Sequence, residues 1–304
     1  VGGSWVVTQL GAAGAYGGKN SIALRPNGNP VVSYEQHGVG YFWTGWTGTT
    51  WTGPTAISDP EPSSAPGDNG IGVDPLTGTV RGAMALWKSS GTGSGSLLGI
   101  WNSQTSTATI VDGPNMDGIY VGATGTQTSA TVDKTGRLHV AYQFQVGFGT
   151  RFLKYGKLES GAWTAAVLDS MTGDESGGNA YFSSVTAIAA DGTGAPGIVY
   201  TGSPSGAYKY ARWNGSAWAT SVIDASGGRG QSLAYDRNNN PHVALCQSSY
   251  KLTYAHLVGS TWVKETVDPS EGLSCSIGVD GSGKVYISYY DETLQRLRLA
   301  VRTP

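Results

Sequence analysis

The 304-residue chain is poor in charge: Asp, Glu, Lys and Arg together make up 13% of it, about half the usual share. With a formal net charge of −2, it offers no electrostatic footprint for nucleic acid or for an anionic membrane as partner. Only four histidines and two cysteines are present, and none of them has the spacing of a zinc site. No run of about 18 apolar residues exists, so no helix inserts into a membrane. Val1-Gly2-Gly3-Ser4 lacks the charged and apolar regions of a signal peptide and reads as a mature or trimmed end. A Gly-x-Ser-x-Gly elbow, a P-loop and a Ser/His/Asp grouping are also missing. No cofactor is expected.

What is abundant is turn-forming glycine, with 47 residues, and aromatic surface, with 10 Trp and 16 Tyr. That profile suits a rigid, turn-rich β-protein, secreted or at the cell surface. The two cysteines then suggest one disulfide, Cys246 to Cys275. One follows a second strand and the other precedes a first strand of the next repeat, which places them on the same rim of adjacent units.

A short anchor strand returns six times, ending at Arg25, Asp74, Asp133, Asp191, Asp236 and Asp280, with spacings of 49, 59, 58, 45 and 44 residues. Repeats of this length made of short strands predict a propeller or solenoid. The fifth unit reads as four strands: Leu233-Tyr235, Pro241-Cys246, Lys251-Val258 and Trp262-Val267. Gly, Asn and Asp turns separate them, as expected of a propeller blade.

The fourth strand carries a Trp six residues before an Asp, in Trp163/Asp169, Trp218/Asp224 and Trp262/Asp268. Too few residues follow Asp280 for four strands, and Trp5-Leu10 supplies the missing one. The expected fold is therefore an all-β, six-bladed β-propeller. Its ring is closed by the N-terminal strand, about residues 5–10, completing the C-terminal blade. The expected limits are one domain over 1–304, with blades at about 21–59, 69–112, 128–169, 186–224, 231–268, and 275–304 plus 4–11.

Column chemistry agrees. The middle of the anchor strand is always small (Ala23, Gly72, Thr131, Ala189, Ala234, Gly278), as six strands converging on an axis require. Tyr34, Tyr142, Tyr200 and Tyr289 share a column of the second strand and are read as packing between blades. His139 and His242 likewise share a column and are read as packing residues. Asp236-x-Asn238-x-Asn240 lacks the Gly and closing Glu of a calcium loop and is read as a turn. Asn20, Asn69, Thr128, Thr186 and Gln231, one column before the anchors, are read as satisfying backbone groups at strand ends.

With motifs such as Asp280-Gly281-Ser282-Gly283-Lys284-Val285-Tyr286-Ile287-Ser288-Tyr289, the chain resembles the secreted bacterial β-propellers built from Asp-x-x-Gly-x-h-x-h-x-Tyr and Gly-x-x-Trp repeats (h, apolar). The resemblance covers nearly the whole chain and implies architecture alone, since propellers host lectins, lyases, glycosidases and scaffolds. It departs from two functional families. The contiguous sialidase Asp-box is absent, and the repeated Arg/Glu/Trp triad of the six-bladed fucose lectins is not matched.

The loops entering the innermost strands differ in length, and the two longest, 113–128 and 170–186, form the expected edge of a binding site. They hold Asp117, Tyr120, Asp174, Glu175, Asn179 and Tyr181, with Arg151 opening a neighbouring strand. Carboxylates beside aromatic rings suit carbohydrate, so the first expectation is a lectin-like extracellular module. Tyr120, Arg151, Asp174, Asn179 and Tyr181 are its binding candidates. A polysaccharide lyase or glycoside hydrolase is the alternative, with Asp117, Asp174, Glu175 and His37 as catalytic candidates. A structural surface protein or scaffold is the third reading.

Overall fold

Each anchor is an innermost strand. The computed structural model describes residues 10, 20–36, 39–60, 68–88, 95–113, 121–146, 150–171, 186–202, 206–247, 249–270, 272–291 and 293–303. Among them are six antiparallel sheets and no helix. Blade 1 is β1 (Asn20–Leu24), β2 (Pro30–Gln36), β3 (Gly40–Gly45) and β4 (Thr55–Ile57). Blade 2 is β5 (Asn69–Val73), β6 (Val80–Lys88), β7 (Gly95–Asn102) and β8 (Thr109–Asp112). Blade 3 is β9 (Val121–Val132), β10 (Leu138–Val146), β11 (Thr150–Glu159) and β12 (Ala162–Met171). Blade 4 is β13 (Thr186–Ala190), β14 (Pro196–Gly202), β15 (Ala207–Trp213) and β16 (Trp218–Asp224). Blade 5 is β17 (Gly228–Tyr235), β18 (Pro241–Gln247), β19 (Leu252–Val258) and β20 (Thr261–Asp268). Blade 6 has β21 (Leu273–Val279), β22 (Val285–Asp291) and β23 (Arg296–Arg302). Each sheet is a meander in sequence order, and the fold is a six-bladed β-propeller.

The turn from first to second strand explains the Asp-x-x-Gly motif. Asp133 Oδ1 accepts from the backbone N–H groups of Thr135 (2.8 Å) and Arg137 (3.1 Å), and Asp191, Asp236 and Asp280 cap their turns in the same way. The third turn position has positive φ: 82° at Gly136, 92° at Gly194 and 85° at Gly283, with Asn239 at 64°. Glycine and asparagine are the residues that tolerate this. Both carboxylate oxygens of Asp236 are engaged within its own turn, by Asn238, Asn240 and the Asn240 side chain, so the calcium-like string is a turn.

The innermost strands pack in succession from β1 to β21. At Gly72 a Cβ would stand 2.5 Å from the backbone nitrogen of Val132, and at Gly70 one would stand 2.4 Å from that of Ala130. Only glycine fits this approach. Serine hydroxyls staple neighbouring inner strands, each accepting from the next blade: Ser21 from Ile71, Ser129 from Ile188 and Ser232 from Ile277.

The tyrosine column joins blades as expected. Tyr142 Oη reaches Asp112, Tyr200 Oη reaches Asp169 and Tyr289 Oη reaches Asp268, each on the last strand of the preceding blade. A cation from the third strand completes each junction: Lys154, Lys209 and Arg298. In the first blade Tyr34 Oη donates instead to the backbone carbonyl of Leu10 at 3.3 Å, the one described residue of the expected closing strand. Residues 5–9 of that strand lie outside the described residues. Cys246 of β18 and Cys275 of β21 are joined, with Cα atoms 6.2 Å apart, tying blade 5 to blade 6.

Candidate functional site

A half-open cleft of about 350 Å³ separates blades 3 and 4. Its blade 3 side comes from the Asp133 turn and the strands leaving it: Arg137, His139, Tyr155, Lys157 and the edge strand at 164–166. Its blade 4 side is Gly194 and Pro196 from the Asp191 turn, with Trp213 and Trp218 across the hairpin between β15 and β16. Those turns and hairpins share one rim of the propeller.

Aromatic rings and charged groups meet across the cleft. Trp213 and Trp218 are opposed residues of one hairpin, with ring centroids 5.9 Å apart. Trp218 crosses the blade boundary to stand edge-on to Tyr155 at 4.8 Å. On the opposite wall Arg137 donates Nε–H to Asp133 Oδ2 (2.7 Å) and Nη1–H to Glu159 Oε1 (3.1 Å). Lys157 Nζ donates to Glu159 Oε2 at 2.6 Å. Held from two sides, the guanidinium keeps a fixed orientation.

Beneath the wall runs a buried relay. His139 Nε2 lies 3.2 Å from Asp133 Oδ2, and its Nδ1 lies 2.6 Å from Tyr155 Oη. Burial opposes ionisation of Asp133, but hydrogen bonds from Thr135, His139 and Arg137 outweigh it and hold the carboxyl well below its usual range. Burial also lowers the His139 pKa, with Asp133 partly offsetting it, and raises that of the Tyr155 phenol. Glu159, at the surface, is lowered by the hydrogen bonds from Lys157 and Arg137. The arrangement recurs in looser form in blade 5, where His242 Nδ1 lies 2.6 Å from Tyr254 Oη and Nε2 stands 3.6 Å from Asp236 Oδ2, beyond hydrogen-bond distance. A constellation repeated at equal columns supports the reading of both histidines as packing residues.

Of the residues singled out from the sequence, His37, Asp117, Tyr120, Asp174, Glu175, Asn179 and Tyr181 lie outside the described residues. Arg151 is described: it sits at the start of β11, opposite Gln145 and Met171, at the end of blade 3 remote from the cleft. The polar ring at the mouth bonds across blades. Thr186 donates to the carbonyl of Gln127, Gln231 donates to that of Val199 at 3.3 Å, and Asn69 accepts from Ser33. Arg137, Lys157, Glu159 and Trp213 were not singled out. One signal for Trp213 was available, since the pair Trp213/Trp218 repeats the spacing of Trp46/Trp51, which also face each other across a hairpin.

No protein-family model and no curated protein sequence matches the chain. Solved structures do match in fold. A Hadza microbial sialidase superposes with TM-score 0.60 at 13% identity, over 93% of this chain and 65% of that one. The chain thus spans just under two thirds of the sialidase's length. The Aleuria aurantia lectin, in complex with Fucα1-6GlcNAc, superposes with TM-score 0.61 at 14% identity, over 93% and 91% of the two chains. A Dyadobacter fermentans protein of unknown function gives TM-score 0.57 at 12% identity, over 93% and 92%. Identities this low establish the shared propeller fold.

Proposed function

We propose that this protein is a carbohydrate-binding, lectin-like propeller of the extracellular space, with its sugar site in the cleft between blades 3 and 4. The observation that carries the reading is the pairing of Trp213, Trp218 and Tyr155 with the Arg137–Glu159–Lys157 group across a cleft of about 350 Å³. Its size falls within the roughly 300–1,000 Å³ of small-molecule sites. Indole faces stack on the apolar face of a pyranose, while Arg137 and Lys157 donate to ring hydroxyls and Glu159 accepts from them. The Aleuria aurantia lectin, described as fucose-specific, shares the architecture and supports fucosides as the first sugars to test. The disulfide is compatible with an oxidising compartment.

The test is a glycan and polysaccharide panel read by thermal shift, with reducing-end and 235 nm absorbance assays on the same samples. Stabilisation without product, lost in Trp213→Ala and kept in Arg151→Ala, supports the reading. Loss in Arg151→Ala alone returns the site to the long-loop rim. Release of product in the same samples favours the enzyme reading instead. No shift and no product sinks both and leaves the scaffold.

A further inference from the structure

The propeller repeat does not require an acid at Glu159. This residue follows Leu158, which pairs with Trp163 across the outer hairpin of blade 3. Trp213 and Trp218 pair in the same way in blade 4, and Leu257 and Trp262 in blade 5. The residues equivalent to Glu159 are therefore Asn214 and Val258, so the hairpin closes without a carboxylate there. The Glu159 side chain is 43% exposed, and ion pairs at such positions add little to stability.

What Glu159 does is occupy the two cations of the cleft. Alternation along β11 sets it on the same face as Tyr155 and Lys157, both of which line the cleft. One of its oxygens accepts from Arg137 Nη1 at 3.1 Å and the other from Lys157 Nζ at 2.6 Å. Asp133 takes Nε of the same guanidinium at 2.7 Å. Two cations thus meet two carboxylates, and the group carries no surplus positive charge. Among the described residues no acceptor is bonded to Arg137 Nη2. A sugar hydroxyl takes a single N–H, and Nη2 supplies one. A carboxylate seeks two side by side, and each neighbouring pair of nitrogens on Arg137 includes one that already serves an acid.

We infer, on the reading of this cleft as the sugar site, that it takes uncharged sugars and that Glu159 excludes acidic ones. Tethered beside both cations, Glu159 competes with an incoming carboxylate at the high effective concentration of an intramolecular group. Its charge also repels that carboxylate. An uncharged pyranose has nothing to displace: its hydroxyls donate to Glu159 and accept from Nη2 and from Lys157. A polysaccharide lyase must neutralise the uronate carboxylate of its substrate, so the same residue stands against a lyase at this cleft.

Calorimetric titration provides the test, with methyl glycosides of fucose, galactose, glucose and mannose set against galacturonate, glucuronate and mannuronate. The uronates differ from the hexoses by a carboxylate at C6. Wild type is expected to bind at least one neutral glycoside, and every uronate at least about tenfold more weakly than that one. Glu159→Gln is expected to gain about tenfold or more in uronate affinity, the worth of a charge-assisted hydrogen bond. Adding Lys157→Gln to it should remove part of the gain. Uronates bound by wild type as tightly as neutral glycosides, or no gain in Glu159→Gln, overturns the inference and leaves the sugar site standing. Binding that survives Trp213→Ala, or no binding of any sugar by either protein, removes the site itself and the inference with it.

Discussion

Tyr142 donates its phenolic proton to Asp112 Oδ2, 2.5 Å away and one blade back. Lys154 Nζ reaches the same oxygen at 2.7 Å, and all three residues are buried. A carboxylate out of water is tolerated because a cation and a hydroxyl both satisfy it. The junction recurs at Asp169 and Asp268, so blade-to-blade cohesion is polar at the rim and apolar behind it.

Removing one partner of such a pair strands the other. Asp112→Ala is expected to cost about 3–5 kcal/mol, because Lys154 is left buried without its carboxylate. Tyr142→Phe costs less, about 1.5–3 kcal/mol, the range for a hydrogen bond to a charged group. Adding Lys154→Met to Asp112→Ala should recover part of the loss. Urea denaturation of the four proteins checks the order.

The Cys246–Cys275 bridge closes a separation of 29 residues between blades 5 and 6. Constraint of the unfolded chain by a loop of that length is worth about 3–4 kcal/mol. The Cys246→Ala/Cys275→Ala double variant is expected to melt earlier than wild type, and reductant should lower the wild-type Tm towards it without affecting the variant.

His139 and His242 have pKa values lowered from 6.5, chiefly by burial. The unfolded chain therefore binds more protons as pH falls through 6.5, and folding stability declines with it. The slope is at most about 1.4 kcal/mol per pH unit for each histidine. Tm is expected to be level above pH 7 and to fall between pH 6.5 and 5, with a shallower fall in His139→Gln. An equal slope in that variant would show that His139 is not the group responsible.

Gly156 lies under the ring of Trp163, where a Cβ would stand 2.0 Å from Cζ2. Gly156→Ala must displace the indole, an overpacking that costs about 1–3 kcal/mol. Trp163→Leu in the same background should relieve most of that penalty. Thermal melts of the single and double variants decide it.

Trp213 and Trp218 both line the cleft, but only Trp218 also belongs to the packed cluster with Ile198, Ala211 and Tyr155. Trp213, half-buried against Trp218, is expected on substitution by Ala to abolish the sugar-induced thermal shift and to lower the ligand-free Tm less than Trp218→Ala does. Trp218→Ala should lose both the shift and several degrees of Tm. Calorimetric titration with the best sugar of the panel checks the first claim.

What the sequence determined by itself is what repeats. The anchors, the small middle column, the Asp-x-x-Gly turns and the tyrosine and tryptophan columns are each set by strand alternation or by a turn's backbone conformation. Those constraints act over a few residues and return in every blade. Six blades, their four-strand pattern and the disulfide were legible for that reason. Loop length pointed to 113–128 and 170–186, most of which lies outside the described residues, and it carried no sign of the cleft between blades 3 and 4. Arg137 stands in a turn like five others, and Trp213 ends a strand like five others. Neither is marked until blade 4 leans on blade 3 and sets an indole beside Tyr155 and a guanidinium across from it. That meeting depends on the angle between two sheets distant in sequence, which packing alone decides.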